Sequence, residues 1–211
     1  MPIWDVTLPL SDETPLYPGD PPFLLDMYRR LADGAGSNNS RLSMGSHNGT
    51  HIDAPLHFID GGGSVDLIPP EALVGPCAVV NCGQADLLTR EALETLDLAG
   101  RPGRERILFR TKNSEWLSRR FDPAFVGFSG DGAEYVAGLG PALVGIDGPS
   151  LDPRGTAGHP AHLAILASGT IRGAIEWLNL AGIEPGEYEL ICAPLRIAGA
   201  EAAPCRVFLR K

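Results

Sequence analysis

The sequence predicts an α/β protein of mixed strands and short helices, in a single domain spanning residues 1–211. Three observations support this. After residue 75, apolar strand-like runs alternate with helix-like stretches, the pattern of an α/β arrangement. The front third is strand-rich. Nineteen prolines and twenty-six glycines favour many short loops over long helices. A chain of 211 residues that is 44% hydrophobic and 20% charged has ample material for a packed core.

In chain order, residues 4–10 read as a strand and 14–22 as a proline-rich loop able to fold over a site. Residues 23–30 and 40–44 are predicted strands flanking a Gly/Ser/Asn turn at 34–39. Residues 47–57 read as extended, because Gly49 and Pro55 argue against a regular helix. Asp60-Gly61-Gly62-Gly63-Ser64 is a sharp loop, and neither a GxGxxG nor a GxxxxGK[ST] pattern makes it a phosphate cradle. A short helix is expected over 69–73 and an apolar strand over 77–82. The next helix, 89–96, has Thr89 as N-cap and Glu91 near its positive end. Residues 106–111 form a strand, and 129–139 a helix with Asp131 and Glu134 in its early turns. Residues 143–147 form a buried strand, apolar until it ends in Asp147. Residues 170–180 are predicted mainly helical, followed by strands over 189–194 and 206–209.

Three of the five histidines fall within one short segment, Ser46-His47-Asn48-Gly49-Thr50-His51-Ile52-Asp53-Ala54-Pro55-Leu56-His57. On an extended strand the odd positions share a face, which gathers His47, His51, Asp53 and His57 together. Gly49 adds no bulk among them and leaves room for a metal or substrate. Imidazole and carboxylate together suit Zn²⁺, Mn²⁺ or Fe²⁺. A strand that turns near Pro55 leaves His57 off the metal but close to it, as a candidate acid or base. The bland alternative is a polar, half-exposed strand that binds nothing, and four such groups in one parity class weigh against it.

Composition narrows the partners. A formal charge of −9 and the lack of a basic cluster disfavour nucleic acid and anionic membranes, leaving a small molecule as the expected ligand. No apolar run approaches the ~18 residues of a membrane span. The start, MPIWDVTLPL, lacks the basic and apolar regions of a signal peptide, so cytoplasmic residence is expected. Cys77, Cys82, Cys192 and Cys205 form no CxxC pair and read as buried free thiols. No GxSxG elbow surrounds Ser46 or Ser150, which argues against serine chemistry.

The segment HNGTHIDAPLHF resembles the signature of the cyclase-like metal-dependent hydrolases, the family that includes bacterial kynurenine formamidase. TPLYPGDPP, the run Leu143-Val144-Gly145-Ile146-Asp147 with the following Pro149-Ser150-Leu151-Asp152, GHPAH, EWLNL and PGEYELICAPLRI resemble further family stretches, in the right order. The resemblance implies a swivelling β/β/α fold and an assembly of two or four identical subunits. It implies that His47, His51 and Asp53 ligate a divalent metal, Zn²⁺ or Mn²⁺, with one or two ions per subunit. Asp53 would bridge where two are bound, with His162 and Glu176 completing the second position. It makes His57 the proton donor and acceptor. It places Tyr17 in the substrate pocket, where kynurenine formamidases usually carry a tryptophan. The spacing between His162 and Glu176 is longer than the family's usual one, so either the intervening turn bulges or the ligand geometry differs.

Other polar residues have plainer readings. His159 reads as a surface or supporting neighbour of His162, Asp147 as a turn cap, and Lys112-Asn113 as a solvated loop. The activity implied is hydrolysis of a small-molecule amide C–N bond by metal-activated water, an aryl formamide such as N-formylkynurenine first. A lactam or lactone hydrolase resembling isatin hydrolase, a true cyclase, and a non-catalytic metal or small-molecule binding protein are the alternatives.

Overall fold

The computed structural model describes residues 1–116 and 121–211. Among the described residues, ten strands form a two-stranded hairpin and an eight-stranded mixed sheet. The hairpin is β2 (Leu24–Arg29) with β3 (Asn39–Ser43). The large sheet contains β1 (Ile3–Asp5), β4 (His51–Asp53), β5 (Val74–Asn81), β6 (Arg106–Arg110), β7 (Leu143–Ile146), β8 (Ala174–Glu176), β9 (Gly186–Pro194) and β10 (Ala202–Arg210). Its order is β1-β10-β4-β8-β7-β6-β5-β9, and β9 pairs back onto β10, which closes the sheet into a barrel. Strands β5 to β8 run parallel, whereas β4, β9 and β10 pair antiparallel with their neighbours.

Strand parity sorts the core into two layers. Val79, Leu108, Ile175, Leu190 and Val207 fill the barrel. The alternate positions Val80, Phe109, Val144 and Ile146 pack under the helices. Those helices are α2 (Arg90–Glu94), α3 (Gly130–Leu139) and α4 (Pro160–Leu166), while the short α1 (Pro70–Leu73) leads into β5. Thr89 caps α2 as expected, accepting the Ala92 N–H, and Ser129 caps α3 through the Gly132 N–H.

Several expectations need correction. Residues 170–180 are not helical: the segment holds the short strand β8, and Trp177 then turns with φ 57°. A strand buried on both faces shows an unbroken apolar run, which periodicity cannot tell from a helix. Gly173 has a packing reason for its place, because a Cβ there would lie 2.9 Å from the Asp53 carbonyl and 2.8 Å from Ile52. The histidine segment is a strand only over His51–Asp53. Ser46–Thr50 is a turn region with Gly49 at φ 63°, and Pro55–His57 is a 3₁₀ turn. Gly49 does not leave room for a ligand either, since a Cβ there would meet Leu10 at 2.8 Å. The third correction is α4, a helix the sequence reading does not contain.

Asp147 ends β7 as a fully buried carboxylate. It accepts the Thr111 and Ser114 N–H groups and both of their hydroxyls, tying the ends of β6 and β7 together. The turn-cap reading therefore holds. Asn113 is not in a solvated loop: it is fully buried and bonded to Val126. Burial raises the Asp147 pKa to about 6, against the opposing hydrogen bonds. The folded state thus holds this proton more tightly than the unfolded chain, and stability declines as pH rises through the window between the two pKa values. Relative to Asp147→Asn, which does not titrate, the wild type is expected to lose up to about 3 kcal/mol of unfolding free energy between pH 4 and 6.5. Urea unfolding of both proteins across that range checks it, and parallel stability curves would contradict it.

Candidate metal centre

The site lies on the helix-side face where β4 and β8 meet. His51 and Asp53 share that face by strand parity, with Ile52 between them pointing into the barrel. His51 is the register partner of Glu176 on β8, which brings a residue 125 positions away alongside it. Thr50 secures the junction, because its buried hydroxyl accepts the Leu8 N–H and donates to the Trp177 carbonyl. Helix α4 lies over the face and delivers His162. The longer spacing between His162 and Glu176 is accommodated, since His162 Nε2 and Glu176 Oε1 stand 3.1 Å apart.

Asp53 is the centre of the cluster. It is 0% exposed, and among the described residues neither of its carboxylate oxygens, nor His51 Nε2, has a hydrogen-bond partner. The donors divide between its two oxygens. His47 Nδ1 lies 3.0 Å and His51 Nε2 3.4 Å from Oδ1. His162 Nε2 lies 3.7 Å and His57 Nε2 4.0 Å from Oδ2. Glu176 Oε2 is 3.5 Å from His51 Nε2. Unpartnered buried nitrogen and carboxylate oxygens converging like this suit a divalent cation of the zinc or manganese kind. The sets His51–Asp53–Glu176 and His47–Asp53–His57 each offer three ligand atoms within 4.8 Å of one another. The structure thus brings all five expected ligands together, and it places His57 at the edge of the same cluster.

Charge follows from the geometry. Burial works against ionising His47, yet the adjacent Asp53 carboxylate raises its pKa to about 9. Burial likewise opposes charge on His162, but Asp152, Asp53 and Glu176 hold its pKa well above the ordinary value. Burial disfavours the Asp53 anion, and the surrounding imidazoles overcome this, holding its pKa well below the usual range. Without a cation, therefore, protons on the imidazoles balance the buried carboxylates, and metal binding must displace them. His57 differs: burial, with His47 and His162 as cationic neighbours, lowers its pKa to about 4 despite Asp53, leaving it neutral at pH 7.

Two supporting carboxylates escaped the sequence reading. Asp152 accepts the Ala161 and His162 N–H groups at the start of α4 and the His162 Nδ1–H at 2.5 Å. It thereby both caps the helix and turns His162 Nε2 towards Asp53. Glu201 lies 3.3 Å from His47 Nε2 and accepts the Ser46 hydroxyl. His51 is oriented instead by the Gly49 carbonyl, 2.9 Å from its Nδ1. The only signal for Asp152 was its place in the loop after Asp147, and Glu201 had none.

A cavity of about 210 Å³ opens over the cluster. Tyr17, Asp20, Phe58 and Trp177 line it together with His57 and the loop from Pro149 to Thr156. Tyr17 sits edge-on to Phe121, with ring centroids 5.4 Å apart, and Phe58 stacks on His162 at 4.4 Å. His159 is exposed at the rim.

The Cyclase family matches residues 4–153, which carry His47, His51, Asp53 and His57. The chain belongs to the Cyclase family. Solved structures agree over its whole length. A protein described as a metal-dependent hydrolase with cyclase activity is 33% identical, with a TM-score of 0.83 over 99% of this chain and 96% of the other. A protein from Bacillus stearothermophilus described as a predicted metal-dependent hydrolase is also 33% identical, with a TM-score of 0.83 over 99% and 97%. Isatin hydrolase A from Ralstonia solanacearum is 27% identical, with a TM-score of 0.79 over 99% and 91%. The expected family and α/β fold are thereby established, and Glu176 and His162 of this Cyclase-family chain fall outside the matched segment but inside the structural agreement.

His51→Ala and Asp53→Ala are expected to abolish tight Mn²⁺ or Zn²⁺ binding to the metal-stripped protein. Asp152→Asn should keep binding but weaken it by about 10- to 100-fold, the usual range for losing an outer-shell partner. Calorimetric titration measures all three, and wild-type affinity in Asp53→Ala would remove the carboxylate from the centre.

Proposed function

We propose that this chain is a metal-dependent hydrolase that cleaves the C–N bond of a small aryl amide, first an aryl formamide such as N-formylkynurenine. The observation that carries the reading is the buried Asp53 with His47, His51, His162 and Glu176 around it and one further, neutral imidazole, His57, beside them at the cavity. One or two divalent cations, Zn²⁺ or Mn²⁺, would be held by those five ligands and would supply a water of lowered pKa and an electrophile for the carbonyl oxygen. The size of the cavity suits a single ring bearing its amide, and Tyr17, Phe58 and Trp177 offer that ring apolar and aromatic surface.

The chain's own residues then account for proton movement. An anilide nitrogen leaves poorly unless it is protonated. His57 takes a proton from the attacking water on Nε2 and passes it to the departing nitrogen. The 3₁₀ turn after Pro55 holds its Nε2 4.0 Å from Asp53 Oδ2, at the cavity wall. Asp152 and Glu201 keep His162 and His47 from turning away during this transfer.

A second reading keeps the centre and changes the substrate to a lactam, favoured by the likeness to isatin hydrolase A. Both substrates are planar aryl amides, so the ligands do not separate them; the wall around Tyr17 does. Four free cysteines suit a reducing compartment, and we place the protein in the cytoplasm.

Rates on N-formylkynurenine, N-formylanthranilate, isatin and a simple lactone, each with Zn²⁺ and Mn²⁺, test the assignment. The formamides are expected to show the highest kcat/KM. Faster isatin turnover transfers the assignment to the lactam reading, and inactivity on every substrate in the metal-loaded protein leaves a metal or small-molecule binding role. His57→Ala should retain its metal while losing about 10²- to 10⁴-fold in kcat on the amide. It should lose less on an activated ester, whose leaving group needs little protonation. Loss of metal together with both activities would make His57 a ligand.

A further inference from the structure

The proline-rich loop at the front of the cavity carries a carboxylate that the proposed reaction leaves unused. Tyr17-Pro18-Gly19-Asp20 is a tight turn, closed by the Asp20 N–H donating to the Tyr17 carbonyl at 3.1 Å. Pro18 and Gly19 fill its central positions, and Gly19 takes the positive φ, 109°, that a Pro-Gly turn of this kind demands. Asn48 Nδ2 donates to the Pro21 carbonyl at 2.9 Å, which pins the end of the turn beside the histidine segment. One turn thus presents both the Tyr17 ring and the Asp20 carboxylate to the cavity. Phe121 and Phe125 back the Tyr17 ring edge-on, with centroids 5.4 Å and 6.4 Å away, so this aromatic wall is held in place.

Asp20 differs from the other acids lining the cavity. Asp152 is bonded to His162, and Glu176 accepts the Leu151 N–H. The Asp20 carboxylate is half-buried, yet among the described residues it accepts no hydrogen bond and forms no ion pair. Burial raises its pKa, against the through-space pull of His47 and His51. Leaving such a group without a donor is unfavourable. Among the described residues no lysine or arginine lines the cavity, so the donor has to arrive with the ligand.

We infer that Asp20 is a specificity-determining residue that selects aryl amides carrying an ammonium group, with the ring against Tyr17 and the ammonium on the Asp20 carboxylate. The inference rests on the aryl-amide reading above and narrows its substrate class. The geometry sets the length of the arm. A tight turn keeps the Cα atoms of its end residues within about 7 Å, so an ammonium two or three carbons from the ring reaches one residue while the ring touches the other. A charge-assisted hydrogen bond in a partly dry cavity is also stronger than a neutral one.

Two formamides that differ only in the ammonium arm test this: N-formylkynuramine, which carries it, and 2-formamidoacetophenone, which is neutral. The metal-loaded wild type is expected to favour the ammonium compound by about 10- to 100-fold in kcat/KM, the range for a hydrogen bond to a charged group. In Asp20→Asn that ratio should fall to near one, through KM rather than kcat, with metal content and melting temperature retained. Calorimetry with the deformylated pair, kynuramine and 2-aminoacetophenone, should show the same preference and the same loss without any turnover. If neither formamide is cleaved, the hydrolase reading fails, and the calorimetric ratio still decides the role of Asp20. Equal wild-type affinity for the two amines, or a preference that survives in folded Asp20→Asn, overturns the inference. Loss of metal from Asp20→Asn overturns it as well, because Asp20 would then be a ligand.

Discussion

An ionised carboxylate with no solvent exposure and no hydrogen bond dominates the energetics of this fold. Asp53 is the last residue of the three-residue strand β4, which lies between β10 and β8 where water cannot reach it. Burying such a group costs several kcal/mol unless opposite charge surrounds it. The protonated imidazoles of His47, 3.0 Å away, and His162, 3.7 Å away, provide that surrounding, and a divalent cation provides it more compactly. The local features of the segment follow from this need. Gly49 turns the chain so that His47 comes back over Asp53, and Thr50 bolts the turn to Leu8 and Trp177. Gly173 lets β8 close on β4 so that Glu176 reaches His51.

Around this centre stands a set of carboxylates that hold its elements in place. Asp152 anchors α4 and His162 in one set of bonds, so the helix and the ligand cannot move separately. Glu201 joins the chain just before β10 to Ser46 and His47. Asp147 holds the start of the loop whose later residues line the cavity. Each accepts hydrogen bonds from backbone N–H or hydroxyl donors, which rigidifies the elements they join. A rigid frame of this kind would keep the ligands in place for a cation, with the His57 imidazole at the edge of the same cluster.

Much of this was legible in the sequence, for identifiable reasons. The apolar runs of β5, β6 and β7 and the capped helices α2 and α3 carry local signals, and they lie where expected. The segment from His47 to His57 announced its chemistry by composition alone. The parity argument was right for His51 and Asp53 and reached His47 and His57 for the wrong reason, because turns on either side, not one continuous strand, return them to the site. What was illegible depends on distant partners. Helix α4 is capped by Asp152 from outside its own turn, and Pro160 at its first position was its one local mark. Strand β8 was hidden by burial on both faces. Glu201 has no motif, and its role exists only once β10 lies beside β4.

The central claim is that the orphaned Asp53 carboxylate is a cation site. Anomalous diffraction from crystals grown with Mn²⁺, and separately with Zn²⁺, addresses it most directly. The account predicts a strong peak within coordination distance of Asp53 and His51, with Glu176 or His47 completing the ligand set. A map without a peak at Asp53, or with its only peak among Asp152, His159 and His162, would contradict it.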